Sequence, residues 1–205
     1  AGTQQGNITV SSLLPVDLFG RIDYLLGYPH GCLEQITSKA FPQLYLNYFA
    51  QLDDKTKEEM QENVNWVITN MKAYQKSDNS MSNWPSGSYV NPWTEIYALH
   101  FLVEANKQGY NVPQYFLDGL LKYQADRAKQ WKNNIDYKQG ETIQAYRLFV
   151  LALAGKAEMG AMNRFKELDM MYDLTKVLAA GAFAQTGKTN IAQKLLPAYE
   201  DGKAM

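Results

Sequence analysis

Cysteine is almost missing from this 205-residue chain, which has a single one, Cys32. One thiol cannot close a disulfide within the chain, so disulfide-framework folds are excluded. A zinc site built on several cysteine ligands is excluded with them. Histidine is nearly as scarce: His30 and His100 leave little for a histidine-rich metal site or proton relay. Excess charge of either sign is lacking too. Twenty Lys and Arg stand against 21 Asp and Glu, a formal net charge of −1, and such a balance gives no basic footprint for nucleic acid. No run approaches the roughly 18 uninterrupted apolar residues of a membrane-spanning helix. The polar start, Ala1 to Val10, has no basic segment followed by an apolar core, so no targeting segment is visible. From these counts neither cofactor nor metal is expected, and no direct membrane contact.

What the chain does have is helical periodicity. With 46% hydrophobic and 20% charged residues it has the composition of a folded domain. Met60, Val64, Val67, Met71 and Tyr74 step by four, three, four and three, which places them on one helix face. Leu117, Leu120, Leu121, Gln124 and Ala128 repeat the pattern, and so do Ile143, Tyr146, Val150, Leu153 and Ala157. A shorter amphipathic stretch runs from about Val16 to Leu26. Asp53 and Asp54 are candidate caps, and Asn91-Pro92 opens a helix with proline in its first turn. Breaks fall at Gly109 to Pro113 and near Gly155, Gly160, Asp169 and Gly187. The longest loop is Ser77 to Ser88. Only Asn7 to Val10 reads as strand, so a parallel sheet is not expected. About nine helices with short links predict an all-α array of antiparallel hairpins, stacked or circular. Residues 1–205 are expected to form a single domain. The ragged end after Tyr199 suggests a piece cut from a longer protein.

One segment carries chemistry: Tyr28-Pro29-His30-Gly31-Cys32-Leu33-Glu34-Gln35, continued by Ile36 to Pro42. Leu33, Ile36, Ala40 and Leu44 share a helix face, so Cys32 falls at a helix N-terminus, where free N–H groups and the dipole favour thiolate. Gly31 permits a tight turn and a close backbone approach. Gln35 lies one turn beyond Cys32, and side chains at that spacing meet. If the thiol displaces ammonia from the carboxamide, an internal thioester results. Such a bond is an acyl group with a good leaving group, and water destroys it. Tyr28, Trp84, Tyr89 and Trp93 are the aromatic candidates for a water-excluding shield. His30 is a candidate for tuning the thiol or for a structural role in the loop. Glu34 reads as solvent-facing, and His100 as a packed, hydrogen-bonded helix residue.

A lone Cys-x-x-Gln is a weak signal, but its surroundings are specific. Gly31-Cys32-Leu33-Glu34-Gln35, with Tyr28-Pro29 before it and Thr37 to Pro42 after it, resembles the thioester motif of the alpha-2-macroglobulin and complement C3 superfamily. The Tyr-Pro lead-in is similar to the bacterial alpha-2-macroglobulins. The resemblance is close from about Leu25 to Leu46 and looser at Trp84 to Ala105 and Gln144 to Gly155. It implies an α/α toroid, with Cys32 and Gln35 as the thioester pair, inside a much larger protease inhibitor. It implies proteases as covalently trapped partners, the other domains of the parent as neighbours, and a single-use trap rather than a turnover enzyme. It also implies a periplasmic or extracellular setting, with a membrane-anchored parent. Nine helices are fewer than the twelve of a complete six-hairpin toroid, so an incomplete or truncated ring is expected. The protease bait region would lie elsewhere in the parent. No histidine follows His100, so direct attack by amines is expected rather than acyl transfer through a downstream histidine. Two other readings stand beside this one: an α/α-barrel enzyme, either cysteine hydrolase or two-carboxylate glycosidase, and a helical binding module without a reactive bond.

Overall fold

The computed structural model describes residues 31–49, 51–133, 140–170 and 172–197. The Asn7 to Val10 and Val16 to Leu26 stretches, with Tyr28 and His30, lie outside the described residues. Nine α-helices occur among those described: α1 (Leu33–Gln43), α2 (Leu46–Phe49), α3 (Asp54–Asn70), α4 (Pro92–Lys107), α5 (Gln114–Gln130), α6 (Gly140–Leu153), α7 (Met159–Phe165), α8 (Asp173–Gln185) and α9 (Thr189–Leu195). A 3₁₀ turn, Met71–Tyr74, follows α3. Among the described residues the only extended pairing is an isolated antiparallel bridge between Gln75 and Met81.

The local chemistry explains the boundaries. Asp53 caps α3, its carboxylate accepting the N–H of Thr56 at 2.8 Å. Asn91 caps α4, its side chain accepting from Trp93 and Thr94, and Pro92 fills the first position, where a missing N–H costs nothing. The glycines at 109, 155 and 187 end α4, α6 and α8 at positive φ, where other residues pay for their Cβ. Two sequence expectations are corrected. The face from Met60 to Tyr74 is buried throughout, but the α-helix stops at Asn70 and tightens to 3₁₀ geometry, which turns Tyr74 inward. Gly160 lies inside α7; the break falls just before it, between Leu153 and Met159.

Packing follows a hairpin plan. The helices α1, α4, α6 and α8 form an inner row, each touching the next. Against them lie α3 on α1, α5 on α4 and α6, and α9 on α8. Among the described residues α8 does not pack extensively on α1, so the row is an open arc of an α/α toroid. Its core includes Leu33, Ile36, Val64, Ile96, Leu99, Phe101, Leu102, Phe116, Leu148, Leu151 and Phe183. Burying one such large side chain is worth roughly 1.5–3 kcal/mol.

The inner helices present their N-termini at one end. The loop from Asn83 to Tyr89 links the starts of α1 and α4. The Trp93 ring, at the start of α4, sits 4.7 Å from that of Tyr146 in α6. The hydroxyls of Thr142 and Thr175 join the starts of α6 and α8 at 2.7 Å. At the other end the Tyr45 hydroxyl meets the Glu104 carboxylate at 2.5 Å. Burial, and then Glu104, push that phenol up to about 12.

The largest buried polar cluster is hydrogen-bonded internally, whereas Asn83 Oδ1 and Glu141 Oε2 are buried without a partner among the described residues. Arg147, almost fully buried, donates from Nε to Gln124 at 2.8 Å and from Nη1 to Gln144 at 2.6 Å. Gln144 donates in turn to the Ala128 carbonyl at 3.1 Å. Burial pulls the Arg147 guanidinium down to about 10, with nearby Glu95 acting the other way.

Candidate functional site

At the N-terminal end of α1, Gly31 takes a φ of +140°, a conformation that favours glycine. Cys32 follows in extended geometry as the N-cap. Leu33, Ile36, Thr37 and Ala40 then turn fully into the core, so burial sets the helix's orientation and leaves Gln35 on its exposed side. Cys32 is partly exposed and Gln35 exposed.

The two are brought together as a capping box, with Cys32 at N-cap and Gln35 at N3. The Gln35 side chain folds back, and its carbonyl Oε1 accepts the Cys32 main-chain N–H at 3.0 Å. The space it occupies exists only because residue 31 is glycine. A Cβ there would stand 2.1 Å from Gln35 Oε1. The carboxamide is therefore held beside the residue that carries the thiol.

Two residues distant in sequence secure this turn. The Leu33 N–H, free of any intrahelical partner, donates to the Asn83 carbonyl at 2.9 Å, and the Asn83 N–H donates to Tyr89 at 2.9 Å. The Tyr74 hydroxyl donates to the Gly31 carbonyl at 2.7 Å. Burial, and then the neighbouring Cys32, raise the Tyr74 phenol above its ordinary value, so it stays protonated as a donor. Sequence reading placed Tyr74 on a buried face and missed this bond. The signal available was a tyrosine ending an otherwise apolar stripe, since a buried hydroxyl needs a partner.

The other expected residues distribute differently. Trp84 follows Asn83 directly but is 56% exposed. Tyr89 is more exposed still. Trp93 lies farther along the same end, against Tyr146. Tyr28 and His30 fall outside the described residues. Glu34 is exposed and accepts the Ser38 hydroxyl at 2.9 Å, as a first-turn acid should. His100 matches its expectation as a packed helix histidine: its Nδ1 is 2.9 Å from the Tyr146 hydroxyl, and its ring meets Phe41 and Phe149 edge-on. Burial pulls its pKa down to about 4, so it is neutral at pH 7.

Two pockets open at the same end of the arc. One of about 400 Å³ is lined by Pro92, Arg127, Trp131, Lys132 and Arg147 among others. One of about 450 Å³ lies between Trp93, Thr142, Ile143, Tyr172 and Leu174. Neither is lined by Cys32 or Gln35. No group of three metal-ligating side chains occurs among the described residues. No helix among them is long and apolar enough to cross a membrane.

Comparison with known proteins gives a consistent result. The family model described as the A-macroglobulin TED domain matches residues 6–132. Alpha-2-macroglobulin of Escherichia coli is 30% identical over 177 residues, covering 80% of this chain and 11% of that protein. The native E. coli alpha-2-macroglobulin fragment from domain MG7 to the C-terminus superposes with a TM-score of 0.75 at 25% identity, over 89% of this chain and 30% of that one. Salmonella alpha-2-macroglobulin reacted with methylamine gives 0.72 at 26% identity, over 88% of this chain and 12% of that one. The chain spans about a tenth of the length of the curated relatives it matches.

Proposed function

Because the chain belongs to the A-macroglobulin TED domain family, we propose that it is the thioester-bearing part of a protease-trapping macroglobulin and that Cys32 and Gln35 form the reactive bond. The observation that carries this reading is the Gln35 carbonyl held 3.0 Å from the Cys32 N–H. In forming the bond, Cys32 Sγ attacks Gln35 Cδ, the Cδ–Nε2 bond breaks, and the thiol proton leaves with the nitrogen as ammonia. When an amine opens the bond, its nitrogen bonds to Cδ, the Cδ–Sγ bond breaks, and the amine's proton passes to the sulfur. The product is a substituted amide on residue 35 and a free Cys32 thiol. The bond is spent once, so the domain is a trap and not a turnover enzyme. A lysine of the attacking protease is the nucleophile the chemistry suits, and a solved Salmonella relative is described as reacted with methylamine. The bait region and the remaining domains belong to the rest of the parent, which we place in the periplasm or at the extracellular face.

A cysteine hydrolase needs a basic partner for Cys32. The candidates are His30, which lies outside the described residues, and His100, whose ring is engaged by Tyr146, Phe41 and Phe149. Intact mass of freshly folded protein tests the proposal. The expected mass is one ammonia below the sequence mass, and methylamine adds once with the appearance of one titratable thiol. Full sequence mass with an immediately titratable thiol would overturn it.

A further inference from the structure

Tyr74 and Gln35 sit at opposite ends of a single peptide plane. The carbonyl that accepts the Tyr74 hydroxyl at 2.7 Å is that of Gly31. The N–H that donates to Gln35 Oε1 at 3.0 Å is that of Cys32. Gly31 C=O and Cys32 N–H belong to the same planar unit and point in opposite directions across it. Rotating this plane would break both bonds together. Donation to the carbonyl also draws electron density from the amide and makes its N–H a stronger donor, the cooperativity expected of linked hydrogen bonds.

We infer that Tyr74 is the positioning residue of the thioester: through the Gly31–Cys32 peptide it fixes and polarises the Cys32 N–H as the oxyanion donor for the Gln35 carbonyl. The inference rests on the thioester reading and deepens it. In forming the bond and in opening it, Cδ becomes tetrahedral and Oε1 takes the negative charge. A preorganised N–H about 2.7–3.1 Å from that oxygen stabilises the charge without reorganisation. No proton is transferred by Tyr74, whose phenol remains a donor throughout. The plane is held at neighbouring points as well: Gly31 alone tolerates the folded-back Gln35 side chain, and Asn83 anchors the next N–H, that of Leu33. Tyr74 reaches the turn from the 3₁₀ segment after α3, and it is 5% exposed, so water does not compete freely for the Gly31 carbonyl.

The test is Tyr74→Phe in the 205-residue chain, with methylamine consumption followed by mass and by thiol release. Wild type is first measured for the loss of one ammonia; a wild type of full sequence mass overturns the thioester reading, and the Tyr74 assignment with it. Removing an oxyanion donor outright costs about 10²–10³ in rate, so loss of its positioning group is expected to slow methylamine about tenfold. The Cys32 amide proton should move upfield while the melting temperature changes little. A folded variant carrying full sequence mass also supports the inference, because formation uses the same donor. An unchanged rate constant and an unchanged Cys32 amide shift in an ammonia-light variant would overturn it, leaving Tyr74 a packing residue. Should Tyr74→Phe not fold, fluorotyrosine at position 74 supplies a stronger donor of nearly the same shape. The rate should then rise, and a rate equal to that of wild type would overturn the inference.

Discussion

The carbonyl of Asn83 accepts the N–H of Leu33 at 2.9 Å, joining the long loop before α4 to the first turn of α1. Fifty residues separate them, yet the contact satisfies one of the donors that every helix start leaves free. The loop is therefore a structural part of the Cys32 turn, and its own interior is braced. The buried Ser82 hydroxyl lies 3.0 Å from the Tyr74 carbonyl and 2.6 Å from that of Trp84. Ser82→Ala should cost about 1–2 kcal/mol, read from chemical denaturation. It should also broaden the Cys32 amide resonance, because both Tyr74 and Asn83 lose support; a sharp, unshifted resonance would show that the loop and the turn are independent.

Gly31→Ala gives a sharper prediction. Its Cβ meets Gln35 Oε1, and its φ of +140° is unfavourable for any residue with a Cβ. The variant should fold with a loss of about 1–3 kcal/mol. Its carboxamide should be swung away from Cys32, so its intact mass should equal the sequence mass. An ammonia-light Gly31→Ala protein would show that the folded-back side chain is not required.

Gln35→Glu separates capping from chemistry. The carboxylate keeps an acceptor for the Cys32 N–H and adds charge where a helix start favours it. The fold should be retained within about 0.5 kcal/mol. With no amide nitrogen to leave, the fresh protein should show one titratable thiol and no reaction with methylamine.

Acid should destabilise the domain through His100. Burial lowers its pKa to about 4, against an ordinary value of 6.5; Lys107 adds to the lowering and Glu104 opposes it. The unfolded chain therefore takes up a proton at His100 before the folded one does. The stability linked to this histidine is complete above about pH 6.5 and is lost as the pH falls to about 4, a difference of about 3 kcal/mol. The difference in unfolding free energy between wild type and His100→Gln, measured across that range, isolates the effect. A constant difference would refute it.

Arg147→Met removes the centre of the buried network with Gln124 and Gln144 and takes one of two nearby cations from the buried Glu95, leaving Arg127. Breaking one side of such a buried arrangement costs about 3–5 kcal/mol. For a chain of this size that is a melting temperature lower by more than about 6 °C. Calorimetry would show it, and an unaltered melt would mean that the network is dispensable.

Much of the site is legible before any coordinates. Apolar spacing puts Leu33, Ile36 and Ala40 on one face, and the structure buries all three, which leaves Cys32 at the cap. The i to i+3 spacing puts Gln35 within reach of Cys32, and Gly31 leaves the room for its side chain to fold back. The stripes on α3, α5 and α6 are likewise read correctly, except where α3 gives way to a 3₁₀ turn and where α6 ends before Ala157.

What the sequence by itself determined is thus local: which residues are helical, which face is apolar, and that Cys32 and Gln35 share the first turn of a helix. These follow from backbone periodicity and rotamer reach, which act over a few residues. Only the tertiary structure decided that Tyr74 holds the Gly31 carbonyl, that Asn83 holds the Leu33 N–H, that Trp84 stands open to solvent, and that His100 turns to Tyr146. Those outcomes depend on how helices from separate hairpins come to rest against one another. A hydrogen bond tolerates only a few tenths of an ångström, and no spacing along the chain specifies packing that finely.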